Sequence, residues 1–424
     1  MQRYEKYKDS GVDWIGEIPD HWKMLSNKYI FKLKKNQVGK KSADYELLSL
    51  TLQGIIKRDM ENPEGKFPAE FDTYQEVKKG DFIFCLFDVE ETPRTVGLSD
   101  FDGMITGAYT VFTASEGTDR KYLYYFYLNL DEKKRLKFLY RGLRNTIPKD
   151  SFFTFKTIFP PIEEQQTIAN FLDDKTAKID QTIAIKQKEI ELLKERRQIL
   201  IQKAVTKGLD DTVKLKDSGV DWIGEIPEHW EVRKLKYVFD FIKTGTTPPT
   251  ANQDYFDGNI NWFNPKDLNE EILLEAEKKV TDLAVSQKEI KIFPGDSILI
   301  VGIGATSGKT AYLKESATFN QQITGFHSNT QNNMFFFYFF KCATTLMLNL
   351  ANYTTLPILN NEFFKSFKTI VPSIEEQAQI VSYLEEIEEK ISKAILLKQQ
   401  EIEKLKEYKT VLIDNVVTGK VKIN

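Results

Sequence analysis

The sequence predicts an α+β fold: two globular domains of mixed α/β structure, separated by two long antiparallel coiled-coil helices in a pseudo-two-fold tandem repeat. A twelve-residue segment recurs without change, and two uninterrupted helical patterns each follow a proline. The chain has 424 residues, whereas single hydrophobic cores stop growing at roughly 250–300 residues. At least two domains are therefore expected.

The repeat is visible in the residues themselves. Lys8 to Pro19 recurs identically as Lys216 to Pro227, and Ile162 to Gln165 matches Ile374 to Gln377. The two offsets are 208 and 212 residues, as expected when a whole unit is duplicated and its middle portion differs by four residues in length.

Two divergent inserts lie between the repeated pieces. Residues 23–158, the first insert, and residues 231–370, the second insert, show almost no mutual similarity. The remaining parts are the frame segments and helices at residues 1–22, 159–209, 210–230 and 371–424. This contrast predicts one common task for the frame and a separate recognition task for each insert. Drift of both inserts without such a task is the alternative.

Two long helices are predicted by apolar residues recurring at threes, fours and their sums. Each would extend over about 45 residues, or roughly 65 Å. A stripe this long needs a partner, either the other copy in an antiparallel pair or a second molecule. The residues expected on the partner-helix face are Ile168, Leu172, Ile179, Ile183, Ile190, Leu193, Ile380, Leu384, Ile387, Ile391, Ile402 and Leu405.

Both ends of these helices carry recognisable signals. Pro161 precedes the first helix, and Ser373 and Glu376 have the spacing of a capping box at the second. Gly208 and Gly419 are suited to terminate the helices. An antiparallel pair would hold the inserts several tens of ångströms apart, which is comparable to one DNA turn of roughly 34–36 Å. Two recognition domains at this distance would suit a DNA site that is divided into two parts.

Each insert mixes short apolar strands with helices. Residues 80–87 and 295–301 both read as strands that follow a Gly-Asp turn, and Lys121 to Tyr140 and Asn333 to Leu350 read as helices. The sequence between Gly302 and Thr310 predicts a turn between two strands.

Composition excludes several classes of protein. The apolar stretch from Met334 to Phe340 is too short to span a bilayer, which takes roughly 20 residues, so no membrane association is expected. The first residues lack the apolar core of a secretory signal, and Cys85 and Cys342 are the only cysteines, so a reduced, cytoplasmic setting is expected. Two cysteines and three histidines at these spacings assemble no Cys/His zinc site.

Candidate nucleic-acid contacts come from basic and amide residues in the inserts. The net charge of −3 argues against a generally basic surface, but lysines and arginines cluster locally. Arginine and asparagine read guanine and adenine edges, while lysine and small hydroxyl donors suit phosphates; a solvated face or an ordinary loop is the alternative. The candidates are Lys34, Lys35, Lys40, Lys41, Arg141, Arg144, Asn145, Lys243, Thr244, Thr246 and Thr247.

Two segments resemble enzyme motifs but lack residues that those motifs require. Residues 302–310 resemble a phosphate-binding loop, but Ile303 fills the position where the first glycine is needed. Residues 264–267 share only Asn-Pro with the Asn-Pro-Pro-aromatic motif of amino-methyltransferases. No catalytic, cofactor-binding or metal-binding residue is expected in this chain, with a metal site made of carboxylates alone as the open alternative.

The whole organisation resembles the specificity subunit of type I restriction-modification systems. The resemblance lies in Trp-Ile-Gly-Glu-Ile-Pro-x-His-Trp at 14–22 and 222–230, in Pro-x-Ile-Glu-Glu-Gln at 160–165 and 372–377, and in the loop at 244–250 with Phe319 to Gln322. The first insert departs from the Thr-Gly-Thr-Thr-Pro pattern and has Asn36 to Gly39 near the equivalent place.

This resemblance implies a subunit without catalysis whose inserts are target-recognition domains, each reading half of an interrupted double-stranded DNA site. It implies that the helices dock methyltransferase subunits, which bring S-adenosylmethionine, and that the complex recruits a restriction subunit that uses ATP and Mg. A nucleotide- or S-adenosylmethionine-dependent enzyme and a repeat scaffold that binds only protein are the competing hypotheses.

Overall fold

The computed structural model describes residues 2–59, 70–353 and 357–423. The chain forms two compact units. The first unit comprises Met1–Gln187 and Gln399–Asn424, and the second unit comprises Lys188–Lys398. Each unit contains one insert and parts of both long helices, so the boundary between the units lies within the helices.

The first frame segment is a short hairpin that joins both long helices within the first unit. Its strands are β1 (Tyr7–Asp9) and β2 (Glu17–Pro19), which pair antiparallel. The hairpin is followed by Trp22, which is fully buried.

The first insert contains ten strands and three helices among its described residues. Its helices are α1 (Asn27–Ile30), α2 (Arg120–Glu132) and α3 (Lys149–Thr154). Its strands are β3 (Lys23–Ser26), β4 (Phe31–Lys34), β5 (Leu48–Thr51), β6 (Gly54–Lys57), β7 (Gln75–Val77), β8 (Asp81–Phe84), β9 (Val96–Leu98), β10 (Gly103–Ile105), β11 (Thr110–Ala114) and β12 (Lys156–Phe159).

The core of the first insert is a four-stranded sheet in the order β4-β11-β8-β9. Four phenylalanines on its strands are buried together with Phe152 of α3, namely Phe31, Phe82, Phe84 and Phe112. The first and last strands of the insert, β3 and β12, pair with each other. The insert therefore begins and ends at the same place in the fold.

Helix α2 ends earlier than the pattern from Lys121 to Tyr140 predicts. It stops at Glu132, and Lys134 adopts a positive φ of 45°. That backbone conformation interrupts an α-helix, and only a short 3₁₀ turn at Lys137–Leu139 follows. The prediction of a longer helix is wrong at this point.

The first long helix, α4, extends over Ile162–Lys207. Gly208 follows with a φ of 75°, so the predicted stop is confirmed. The second frame segment then forms β13 (Leu215–Asp217) and β14 (Glu225–Pro227), which pair in the same register as their counterparts β1 and β2.

The second insert also mixes strands and helices. Its helices are α5 (Asp282–Ser286), α6 (Asn333–Leu350) and α7 (Asn361–Ser366). Its strands are β15 (Glu231–Lys234), β16 (Phe241–Thr244), β17 (Phe256–Phe263), β18 (Ile272–Leu273), β19 (Lys279–Val280), β20 (Ser297–Val301), β21 (Thr310–Leu313), β22 (Thr318–Phe319), β23 (Ile323–His327), β24 (Asn352–Tyr353), β25 (Pro357–Ile358) and β26 (Lys368–Val371).

The central sheet of the second insert has the order β16-β23-β20-β21-β18. The first and last strands, β15 and β26, pair with each other as β3 and β12 do. The predicted helix from Asn333 to Leu350 is confirmed as α6. The strands predicted around residues 80–87 and 295–301 are confirmed as β8 and β20, each somewhat shorter than its predicted range.

The second long helix, α8, extends over Ile374–Val417. Its predicted capping box is confirmed, because the Ser373 hydroxyl accepts from the Glu376 N–H and the Glu376 carboxylate accepts from the Ser373 N–H, both at 3.2 Å. Gly419 follows with a φ of 73°.

Helices α4 and α8 pair antiparallel within each unit. In the first unit, Asp180 accepts from Lys409 at 2.7 Å, and Lys186 lies 2.5 Å from Glu401. In the second unit, Glu189 lies 2.6 Å from Lys398, and Arg197 lies 3.3 Å from Glu388. In these pairs the residue numbers rise along α4 as they fall along α8, so the helices are antiparallel. Both helices belong to the same chain, so the partner of each long helix is the other copy of the repeat and not a second molecule.

The twelve apolar residues predicted to face the partner helix are buried or half-buried. Ile168, Leu172 and Ile179 belong to the core of the first unit, while Ile380, Leu384 and Ile391 are buried in the second unit. Among the described residues, no helix combines the length and apolar character needed to cross a bilayer.

Candidate nucleic-acid interface

In each unit, one glutamate at the start of a long helix bonds to the preceding frame segment. Glu164 accepts from the indole of Trp22 at 2.9 Å and lies 2.5 Å from His21. Burial acts to raise the pKa of Glu164, but the hydrogen bonds from Trp22, His21 and Tyr4 outweigh it and lower that pKa below its ordinary value.

The second copy repeats this arrangement in the second unit. Glu376 accepts from Trp230 at 3.1 Å and lies 2.8 Å from His229. The identical frame sequences therefore build the same anchor twice, and each anchor fixes the orientation of the insert that begins immediately after the tryptophan.

The first insert has a cleft at one end of its central sheet, where β4 and β8 end and β11 begins. This first cleft has a volume of about 570 Å³. Its lining includes Lys35, Gln37, Gln75, Tyr109 and Lys149, which come from four separate parts of the insert. Lys35 and Lys149 are exposed, so the mouth of the cleft carries two ammonium groups.

Aromatic rings form the floor of the first cleft beside these polar groups. Phe87 and Tyr109 stack with their ring centroids 6.2 Å apart. The Arg144 guanidinium lies 5.3 Å from the centroid of Phe87 and pairs with Asp88. This pairing lowers the pKa of the Asp88 carboxyl group, and it holds Arg144 at the edge of the cleft.

The second insert has a smaller cleft of about 270 Å³, the second cleft. Amide side chains dominate its polar lining, namely Gln321, Gln322, Asn360 and Asn361. Ile303 also lines it and is 45% exposed, which is a large exposed fraction for an isoleucine. Neither lysine nor arginine is among the residues that line this cleft.

The two clefts occupy topologically equivalent positions in their own inserts. Strand register makes Lys34 equivalent to Thr244, because they face Val111 and Thr324 on the neighbouring strands β11 and β23. The next pairs along the sheet agree, since Val111 faces Ile83 and Thr324 faces Ile300.

The loops beside the sheets are held by similar backbone hydrogen bonds, shifted by one residue relative to the strand register. The N–H of Ile147 donates to the carbonyl of Leu86 at 2.8 Å, just before α3 begins. In the second insert the N–H of Leu359 donates to the carbonyl of Gly302, also at 2.8 Å, just before α7 begins. Continued two and three residues beyond the paired strands, the register sets Asn36 and Gln37 against Thr246 and Thr247, in line with the expectation that these two loops lie at equivalent places.

The structure brings only some of the predicted DNA contacts to the clefts. Lys35 lines the first cleft and Thr244 the second. Arg144 contacts the lining residue Phe87, and Thr247 hydrogen-bonds to the lining residue Gln321.

The other candidates have different surroundings. Lys34 is half-buried and bonds to Asp81 at 2.9 Å, so its charge is already paired. The Arg141 side chain donates to the carbonyls of Phe138 and Tyr140. The remaining candidates lie outside the linings of the two clefts: Lys40 and Lys41 are exposed in a 3₁₀ turn, Asn145 bonds to Glu91, Lys243 lies over Phe241, and Thr246 bonds to the carbonyl of Glu289.

Several lining residues were not predicted as contacts. Gln75, Tyr109, Asn360 and Asn361 carry no local motif, because the sheet order assembles them from distant positions in the chain. Gln37 and Gln321 lie in the segments compared with family patterns, Asn36 to Gly39 and Phe319 to Gln322, and Lys149 ends a stretch rich in basic residues. Nothing in the sequence indicates that these three residues border a cleft.

The segment resembling a phosphate-binding loop is a turn between strands, as predicted. Strands β20 and β21 flank it and pair antiparallel, whereas a phosphate loop requires a helix after the glycines. Asn264, in the other enzyme-like motif, has its N–H bonded to Asp267 at 2.7 Å and accepts from Asn320. Within the described residues, no group of three or more His, Cys, Asp or Glu is arranged to hold a metal ion.

Comparisons with known proteins agree with this architecture. The family model for the type I restriction modification DNA specificity domain matches twice, at residues 19–195 and 227–407. The chain is 24% identical over 436 aligned residues to the putative type I restriction enzyme MjaX specificity subunit of Methanocaldococcus jannaschii, covering 96% of each chain.

Two solved structures share the fold. One, from a study of complex assembly and conformational transition of the type I R-M system, has a TM-score of 0.71 at 14% identity and covers 95% of this chain and 99% of its own. The HsdS subunit from Thermoanaerobacter tengcongensis has a TM-score of 0.57 at 14% identity and covers 95% and 98%. With both halves of the chain matched by the family model, this protein belongs to the type I restriction modification DNA specificity family.

Proposed function

We propose that this chain is the sequence-specific DNA-recognition subunit of a type I restriction-modification complex, and that each insert reads one half of an interrupted duplex site. The observation that carries the proposal is the pair of topologically equivalent clefts with different linings. The frame segment from Lys8 to Pro19 recurs without change, whereas the linings of the clefts differ: lysines and aromatic rings line only the first cleft, and asparagines line only the second.

The chemistry of the clefts suits contact with duplex DNA. Lysines at the mouth of the first cleft can pair with phosphates or with the acceptor edge of guanine, and amides can bond adenine. The overall acidity of the chain does not oppose this at the first cleft, because Lys35 and Lys149 lie at its mouth.

The long helices supply a surface for partner subunits. Ile185, Leu192 and Ile199 recur every seven residues along α4 and are each more than half exposed. The repeat offset of 212 residues places Leu397 and Val411 of α8 at the positions equivalent to Ile185 and Ile199, and these are exposed as well. Apolar residues that recur on the exposed side of a helix suit contact with another protein, and in each unit we assign those of α4 and α8 to contact with methyltransferase subunits.

Catalysis then belongs to the partners in this proposal. The methyltransferase subunits would bring S-adenosylmethionine, and the restriction subunit would use ATP and Mg. The complex would act in the cytoplasm, where the DNA lies. The nucleotide-dependent enzyme is disfavoured by the strand-turn-strand at residues 302–310, and the S-adenosylmethionine-dependent enzyme by the missing second proline and aromatic residue at 264–267. A scaffold that binds only protein leaves the two different clefts without a role.

The test is genome-wide mapping of methylated adenines in cells that express the partner methyltransferase, with and without this chain. We expect a split motif that appears only when the chain is present. Unchanged methylation despite an active methyltransferase would contradict the proposal and favour the scaffold hypothesis.

A further inference from the structure

We propose that the second cleft reads an A·T base pair in the major groove, with Asn361 bonding the adenine edge and Ile303 contacting the thymine methyl group. This inference rests on the proposed function, and it assigns a base pair and two specificity-determining residues to one insert. In the major groove an asparagine amide pairs with N6 and N7 of adenine, and an apolar side chain contacts the methyl group of thymine.

Asn361 and Gln321 are the two amides of the second cleft that are oriented by one hydrogen bond from a threonine hydroxyl and keep an amide nitrogen without a partner among the described residues. We assign the base contact to Asn361 because it is half-buried on a helix, whereas Gln321 is exposed and has the longer side chain. The Asn361 Oδ1 accepts from the Thr244 hydroxyl at 3.1 Å, which holds the side chain on the first turn of α7. That oxygen retains a second lone pair, and the hydrogen bonds of the described residues leave the Asn361 amide nitrogen without an acceptor. Two N–H donors and one oxygen lone pair therefore remain, and one of each suffices for an adenine edge.

Two other amides of the cleft are committed to the protein itself. The Asn360 oxygen caps α7 by accepting from the Phe363 N–H at 2.8 Å. Gln322 is held at both ends, since it donates to the Ile303 carbonyl at 3.4 Å and accepts from Asn320 at 3.2 Å. These bonds shape the cleft and hold the backbone of Ile303.

Ile303 is exposed because of the backbone around it. Gly302 donates to the Gln322 carbonyl and accepts from the Leu359 N–H, each at 2.8 Å, and Ile303 itself forms a β-bridge with Ile358. The side chain is thus presented at a fixed place beside Asn361, at the cost of leaving an apolar surface in water.

The charge of the cleft favours this base pair. Guanine is most often read by arginine or lysine, and neither residue type lines the second cleft. Glu362, an exposed residue in the lining, would repel a phosphate. The cleft therefore suits a base edge and not the DNA backbone, and among base edges it suits adenine paired with thymine.

The experiment uses the complex of this chain with its methyltransferase subunits and a synthetic duplex that carries the mapped motif. Each adenine in turn is replaced by 7-deazaadenine, which lacks the N7 acceptor, and each thymine by deoxyuridine, which lacks the methyl group. We expect both replacements at one base pair, in one half-site only, to weaken binding by roughly 5- to 100-fold.

Variants then connect that base pair to the residues. Asn361→Ala should abolish the sensitivity to 7-deazaadenine, and Ile303→Ser should abolish the sensitivity to deoxyuridine. Asn349→Ala, which removes an exposed amide of the same insert outside the cleft, should retain both.

The inference is overturned if the wild-type complex binds its motif but tolerates both replacements at every A·T pair, or if either cleft variant keeps the sensitivity it should lose. Because the scan is performed on the wild-type complex, a misfolded variant cannot hide this result. Absence of any chain-dependent motif would instead contradict the proposed function itself.

Discussion

Replacing Asp414 by asparagine is expected to lower the free energy of unfolding of the first unit by about 3 kcal/mol, the low end of what breaking a buried ion pair costs. The Asp414 carboxylate on α8 lies 2.7 Å from Arg135 and 2.9 Å from Lys133, both of which follow helix α2 in the first insert. Lys420 and the amide of Asn129 complete the group, at 3.4 and 3.1 Å. Asparagine would leave the Arg135 cation half-buried and unpaired.

The loss of stability in Asp414→Asn is expected to depend on pH. Burial acts to raise the pKa of Asp414, but the bonds from Arg135 and Lys133 outweigh it and hold that pKa far below its ordinary value. A depressed pKa in the folded state stabilises the protein at pH values above the unfolded pKa of about 3.9, and this stabilisation is lost as the pH falls below it.

Urea denaturation of wild type and Asp414→Asn between pH 3 and pH 7, roughly spanning that ordinary pKa, measures the difference. We expect it to be largest near neutral pH and to shrink towards acid. Asp174→Asn removes an exposed carboxylate paired with Lys178 on α4 and should leave the curves unchanged. Equal effects of the two variants would show that Asp414 does not tie the first insert to α8.

Reversing the charge of Lys35 and Lys149 together is expected to weaken DNA binding of the assembled complex by roughly 10- to 100-fold at physiological salt. Both lysines lie at the mouth of the first cleft and are exposed. If each contacts a phosphate, the slope of log affinity against log salt should fall by about one for each lysine.

The matched control is a double charge reversal at Lys79 and Lys156. Both are exposed lysines of the first insert that lie outside the first cleft, and Lys79 precedes β8 at the end of that strand opposite the cleft. Fluorescence anisotropy measures the binding of each double variant to duplex DNA at several salt concentrations. The affinities and their salt dependence are then compared between the two double variants. A loss of similar size in the control would contradict a specific role for the first cleft.

The frame was predictable because its signals are local. Helices α4 and α8 follow from an apolar stripe without proline or glycine, and the stops at Gly208 and Gly419 follow from the need for a positive φ after a helix. The exact recurrence of Lys8 to Pro19 predicted a duplicated frame with one common task, whereas the bonds of Glu164 and Glu376 to tryptophan became apparent only in the structure.

The clefts were not predictable because no local sequence pattern reveals the order of the strands in a sheet. Gln75 and Tyr109 meet only because β7 lies beside β10 and the sheet places β11 between β4 and β8. Lys34 looked like a DNA contact, yet the buried carboxylate of Asp81 pairs with it, and no feature of the sequence links those two positions. The inserts share a strand order that their sequences do not reveal.

The most direct test of the proposal that each insert reads its own half-site is an exchange of residues 23–158 for the corresponding insert of another family member. Because β3 and β12 pair where the first insert begins and ends, the exchange leaves both frame segments and α4 and α8 intact. Methylated adenines are then mapped genome-wide for the exchanged and the original chain. We expect one half of the split motif to change while the other half and the spacer are retained. A change in both halves, or in neither, would contradict the division of recognition between the two inserts.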